Sequence, residues 1–156
     1  MAYTTPYIFT ALELLTAAKL NAMQGNITFL YDLSILPRPH GVLLNTDVAL
    51  TTGDDKYRFT IPSMLNGWNI TGVVATRSAG TGVPAFQLRN VTDSVDVLST
   101  KVTIDSGETS SATAATPAVI DTTKDDVATG DIFAWDCDVS GTGTFYTYLI
   151  VEFTKP

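Results

Sequence analysis

Two stretches near the end of the chain alternate so regularly that only extended backbone accommodates them. In residues 131–139, Phe133, Trp135, Cys137 and Val139 fall on one side, with Ile132, Ala134, Asp136 and Asp138 on the other. In residues 145–153, Phe145, Thr147, Leu149, Val151 and Phe153 share a face, opposite Tyr146, Tyr148, Ile150 and Glu152. Successive side chains of a strand point to opposite sides, so a period of two aims a whole apolar set at one core. Ser140-Gly141-Thr142-Gly143-Thr144 between them is loop chemistry. The two stretches are therefore expected to pair as a hairpin with one strongly apolar face.

Weaker versions of the same pattern run upstream. Tyr57, Phe59 and Ile61 alternate with Arg58 and Thr60, and residues 68–76 follow a turn at Asn66-Gly67. Phe86, Leu88 and Val91 come next, with a bulge expected near Asn90. Residues 95–104 read as one extended stretch. Residues 105–130 carry little periodicity and are expected to run over the surface, with Pro117-Ala118-Val119-Ile120 touching the core. Short alternating segments with glycine turns between them predict a mainly β, jelly-roll-like or β-sandwich domain over residues 41–156.

The first forty residues are different. Residues 11–33 are rich in Leu, Ala, Met and Gln, which favour helix. Thr10 with Glu13 fits a capping box, and Thr16 is a second N-cap candidate. Leu20, Met23, Ile27 and Leu30 follow a 3–4–3 spacing and so share one helical stripe. Gly25-Asn26 ends or kinks that helix. The stripe spans too few turns for an independent coiled coil. It either docks on its own domain or packs against copies of itself or a neighbouring protein. Pro37-Arg38-Pro39-His40-Gly41 argues against regular structure, so residues 34–42 are expected to be a linker. Residues 1–40 are thus a short α-helical attachment or oligomerisation arm with a Pro-rich linker.

Apolar residues make up 45% of the 156, charged residues only 16%, and the net charge is −7. An acidic surface repels phosphate backbones, so no nucleic-acid partner is expected. A chain with so few charges is expected to hide apolar surface in subunit contacts. Cys137 is the one cysteine, too few for an intrachain disulfide or a zinc cluster. No apolar run is long enough to cross a bilayer, and Met1-Ala2-Tyr3-Thr4-Thr5-Pro6 has no basic region leading into an apolar stretch. Synthesis and assembly in a cytoplasm are expected.

Little in the chain reads as reactive chemistry. His40, the one histidine, lies in the proline-rich break and is assigned a turn role. Cys137 alternates with Trp135 and Val139 and is assigned to the core as a small hydrophobe. Carboxylates cluster at Asp54-Asp55, at Asp125-Asp126 with Asp131, and at Asp136 and Asp138, none with the spacing of a calcium-binding EF-hand. They are assigned to turns and solvation, with a calcium ion in the 125–131 loop as the alternative. Gly80-Thr81-Gly82 and Gly141-Thr142-Gly143 lack the lysine and following helix of a phosphate loop, and are read as hairpin loops. Three Asn-x-Thr matches, at Asn26, Asn69 and Asn90, are read as chance in a Thr-rich chain. No catalytic, cofactor or metal residue is assigned, and no enzyme activity is expected. Trp68, Tyr146 and Tyr148 are the aromatics open to a second subunit or to a sugar ring, and the subunit reading is preferred because interfaces are enriched in tyrosine.

Two segments resemble virion proteins of tailed bacteriophages. Leu15-Thr16-Ala17-Ala18-Lys19-Leu20-Asn21-Ala22-Met23-Gln24 with Asn26-Ile27 is similar to the N-terminal helix of many tail-fibre proteins. Val102-Thr103-Ile104-Asp105-Ser106-Gly107-Glu108-Thr109-Ser110-Ser111, Asp126-Val127-Ala128-Thr129-Gly130-Asp131 and Asp136-Cys137-Asp138-Val139-Ser140-Gly141-Thr142-Gly143 are similar to a C-terminal β module of fibre, head-fibre and decoration proteins. Together they cover under half of the chain, and neither holds a catalytic signature. The resemblance implies a virion component, usually a homotrimer, whose N-terminal arm joins capsid or tail proteins. It also admits a module that binds host surface glycans.

Overall fold

The computed structural model describes residues 21, 23–25, 37–78 and 80–156. The chain separates into two compact units, Met1–Leu36 and Pro37–Pro156. In the first unit, residues 21 and 23–25 are helical and Met23 is exposed. Leu20, Ile27 and Leu30, the rest of the expected stripe, lie outside the described residues.

The second unit is mainly β and its sheets are antiparallel. Its strands are β1 (Arg38–Leu43), β2 (Gly53–Thr60), β3 (Trp68–Thr76), β4 (Ala85–Asn90), β5 (Val95–Asp96), β6 (Leu98–Thr100), β7 (Val102–Thr103), β8 (Val119–Ile120), β9 (Asp126–Val127), β10 (Ile132–Val139) and β11 (Tyr148–Thr154). One sheet has the order β1-β11-β3-β9. A second has the order β2-β10-β4-β5, with β7 also on β4, and β6 pairs with β8 apart from both. Ile70, Ala75, Leu149, Val151 and Phe153 of the first sheet join Phe59, Phe86, Leu88, Phe133, Trp135 and Cys137 of the second in one buried cluster. Burying a large apolar side chain contributes about 1.5–3 kcal/mol, so this shared cluster is the main source of stability.

The inner faces expected for the two C-terminal stretches hold for Phe133, Trp135, Cys137, Thr147, Leu149, Val151 and Phe153, but Val139 is exposed beyond a register shift after Cys137, and the expected pairing does not form. β10 pairs with β2 and β4, and β11 pairs with β1 and β3, so they belong to different sheets and form no hairpin. Residues 133–137 of β10 are all buried, which suits a central strand with neighbours on both sides. Two apolar faces on the same side of one sheet would still need a cover. Set in different sheets, both apolar faces contribute to the one buried cluster.

The expected linker is also overturned, because residues 38–42 belong to β1. His40 lies opposite Val151 and Val42 opposite Leu149. β1 is an edge strand, where a proline can lack its N–H without breaking a ladder. Gly41 has its own use: a Cβ there would overlap the phenol oxygen of Tyr148. The division of the chain accordingly falls after Leu36 and not after residue 40.

Residues 95–104 are three short strands and not one. Asn90 ends β4 in a tight turn where a bulge was expected, its side chain donating to Asp93 Oδ2 (2.8 Å) and accepting from the Asp93 amide (3.2 Å). β5 and β7 flank a gap on β4 that the Gln87 amide fills. It donates to Leu98 O (3.0 Å) and accepts from Leu98 N–H (3.2 Å), as a neighbouring strand would. The 105–130 excursion is only partly as expected: Ala118 and Ile120 pack on the core while Pro117 and Val119 are exposed, and the stretch also supplies β8 and β9, with Val127 of β9 buried in the core.

Candidate interaction surface

Residues 144–147, which lead into β11, are clamped from two sides. Leu50 N–H donates to Thr144 O (2.9 Å) and Leu44 N–H to Thr147 O (2.7 Å). Asn45 reaches the same segment with its side chain, donating to Thr144 O (2.9 Å) and accepting from Thr147 N–H (2.9 Å). From the other side Ser78 donates its amide to Phe145 O (2.9 Å). Between these clamps Tyr146 takes φ 51°, a left-handed conformation that is costly for a bulky side chain. The consequence is that its ring points outward. Its hydroxyl donates to Asp47, which holds the phenol proton and raises its pKa.

Tyr146 is 53% exposed, Tyr148 40%, Leu43 47% and Val48 75%. Leu43 and Tyr148 are direct cross-strand neighbours, and the Tyr148 ring lies over Gly41. Farther along the outer face, Ile150 and Val74 are opposed and half-buried, with Glu152 and Gly72 beyond them. The result is an apolar, tyrosine-rich patch with Asp47, bonded to Tyr146, on one side and Glu152 farther along the face. Alternation singled out Tyr146 and Tyr148. It missed Leu43, which precedes them by about a hundred residues and meets Tyr148 only through the β1–β11 pairing, and Val48, exposed in the loop that follows β1.

Beneath this surface lies a buried cation. The guanidinium of Arg77 donates to Glu108 O (3.1 Å), Thr144 Oγ1 (3.2 Å), Gly80 O (3.2 Å), Gly82 O (3.1 Å) and Asp105 O (2.9 Å). Burial lowers its pKa, and carbonyl dipoles from two loops, with the Thr144 hydroxyl from a third, take the place of a counter-ion. The two Gly-Thr-Gly segments belong to this assembly. They are not separate hairpin loops but pair with each other, Thr81 and Thr142 exchanging N–H···O bonds of 2.9 and 2.7 Å. A Cβ on Gly80 would lie 2.7 Å from Gly143 O, so the approach requires glycine. Nothing in the sequence around Arg77 marks it, but the repeated Gly-Thr-Gly was the available signal.

The remaining candidates are occupied structurally. On the outer face of the second sheet Asp136 accepts from Arg89 Nε (3.0 Å) and from Asp55 N–H (2.6 Å). Arg89 also reaches Asp55 (2.8 Å), and Arg58 bonds the other oxygen of Asp55. In the 125–131 loop Asp131 accepts from Ala128 N–H (2.8 Å), Asp125 accepts from Asn69 of β3 (3.2 Å), and Asp126 is exposed. Among the described residues no group of three or more potential metal ligands gathers. Trp68 is buried, with Arg38 at 6.0 Å from its ring, and offers no free face to a sugar, contrary to expectation. Cys137 is buried beside Trp135, and burial pushes its thiol pKa up to about 11. His40 sits within β1 and not in a turn. Comparison with protein families, curated proteins and solved structures gives no match to this chain.

Proposed function

We propose that the chain is a structural protein of a tailed-phage virion, a fibre, spike or capsid-decoration component that acts by assembly and carries out no chemistry. In this reading the two sheets form a β-sandwich of jelly-roll type. The arm in residues 1–36 attaches it to capsid or tail proteins after assembly in the host cytoplasm, and the second unit forms a homotrimer. The observation that carries the reading is the tyrosine patch: an acidic chain leaves Leu43, Val48, Tyr146 and Tyr148 uncovered together, and holds Tyr146 outward against its backbone preference. Large apolar patches of this kind mark contact surfaces. The outer edges of the sheets favour docking through the face and not through strand addition. β1 carries Pro39 on its edge, and β2 carries Lys56 and Arg58.

Light scattering on the full chain tests the assembly. A trimer that Tyr148→Ala weakens supports the patch as its seat, and a stable monomer at micromolar concentration overturns it. Imaging of labelled protein on intact particles tests the virion assignment. A second reading, binding of host glycans, draws on the exposed Tyr146 ring with the Asp47 carboxylate beside it. Glycan-array binding lost in Tyr146→Gly, with the oligomer unchanged, would move the assignment there.

A further inference from the structure

His40 is the chain's one histidine, and the surface above makes no use of it. It lies in the middle of β1, opposite Val151. Its ring packs on Phe59 with centroids 4.5 Å apart, and on Tyr57 at 6.2 Å. Its Nε2 is buried without a hydrogen-bond partner. A neutral imidazole tolerates this by leaving one acceptor unmet. An imidazolium carries a proton on both nitrogens, so protonation would bury a charged donor against aromatic rings with nothing to accept from it.

The ring faces of Phe59 and Tyr57 give an imidazolium a cation–π attraction but no hydrogen-bond acceptor, and no neighbouring carboxylate makes up for it. On β1, Arg38 lies two residues away on the same side and adds a like charge. From β2 come Tyr57 and Phe59, while Arg58 is turned to Asp55. From β11 comes Val151, while Glu152 alternates to the opposite face. Among the described residues no carboxylate bonds to the ring or pairs with it. Burial accordingly lowers the pKa of His40 from its ordinary value.

β1 is the outermost strand of its sheet and pairs with β11 alone. We propose that His40 is a proton-operated latch: the neutral ring docks β1 on Phe59, and protonation releases the strand from the sheet edge. Because the folded ring binds a proton less readily than the unfolded one, the latch is fully closed above the unfolded value of 6.5. It weakens as the pH falls below that value and through the folded pKa. β1 also carries Gly41 and Leu43, the seat of Tyr148, so release would dismantle the patch. The latch itself stands whether or not the patch is an assembly contact.

Amide hydrogen exchange on the full chain, corrected for intrinsic rates, tests this by comparing β1 with β10 at about pH 7.5 and about pH 5, either side of the histidine range. The expected result is that β1 opens more at the lower pH, by about tenfold for each unit of pKa depression, while β10 does not change. In His40→Phe, which keeps an aromatic ring without a proton site, the pH response of β1 should vanish. The same response in His40→Phe, no response in the wild type, or equal loosening of β1 and β10 overturns the proposal. If His40→Phe does not fold, the ring signal of His40 in the wild type decides by nuclear magnetic resonance. A midpoint below 6.5 supports the latch, and one at or above 6.5 removes it.

Discussion

The two large sheets share one core but finish their outer faces in opposite ways. The β2-β10-β4 face is laced by Arg58, Asp55, Arg89 and Asp136, and Gln87 plugs the gap beside it. The β1-β11-β3 face carries Leu43, Tyr148, Ile150 and Val74, with Glu152 toward one end. The chain has few charges to distribute, and it concentrates ion pairs on one side. Covering the laced face would strip water from paired charges, which is expensive. Covering the other would remove mostly apolar and phenolic surface, which favours association. Under the proposed assembly, the contrast makes the laced face the solvent side and the bare face the docking side.

The largest effect is expected in the core that both sheets share. Trp135 is fully buried on β10, and Trp135→Ala should cost about 3–5 kcal/mol, a large part of the stability of a domain this size. Thermal melting should then show little cooperative unfolding. Trp135→Phe should cost less, because the indole N–H has no partner and its loss leaves nothing unpaired. If Trp135→Ala melts like the wild type, the faces assigned to β10 are wrong and the contrast between the sheets falls with them.

An intermediate effect should separate the outer faces. Asp136→Ala removes the acceptor of Arg89 and of the Asp55 amide, bonds to a charged group that are worth about 1.5–3 kcal/mol. Chemical denaturation should show that loss with the oligomer unaltered. Tyr148→Ala, from the bare face, should cost about 1 kcal/mol, the scale of a cross-strand pair, while self-association weakens. Equal effects of the two variants on both measurements would erase the distinction between solvent side and docking side.

How far these features could be read in advance depended on how local they are. Alternation alone orients Phe133, Trp135, Leu149, Val151 and Phe153, since each depends only on its own strand's pleat. Partner choice is a property of the assembled core, so the step from β10 to another sheet could not be seen in the Ser140–Thr144 segment, which reads equally well as a hairpin loop. β1 was hidden because Pro39 and Gly41 are poor strand residues anywhere except at an edge or beneath a ring such as Tyr148. Arg77 was hidden because its acceptors are mostly backbone carbonyls, which every residue possesses. Tyr146 and Tyr148 were visible in the alternation, Leu43 required the β1–β11 register, and Val48 lies in the loop after β1, which alternation does not orient.

The smallest effect on stability, and the sharpest on the docking side, should come from Tyr146→Gly. Glycine adopts a positive φ without the steric conflict that Tyr146 bears, so the folded backbone gains. The unfolded chain gains freedom as well, and the bond from the hydroxyl to Asp47 is lost. These terms oppose one another, and the melting temperature should stay where it is or rise slightly. Self-association should weaken by on the order of tenfold or more, as when a central tyrosine is removed from an interface. That pairing of outcomes is specific, because a residue strained for packing alone would lose stability when replaced, and one strained for contact loses only the contact. A Tyr146→Gly variant that melts earlier while holding its partners as before would show that the left-handed turn serves the clamp from Asn45 and Ser78, and the docking side would have to be sought away from residues 144–148.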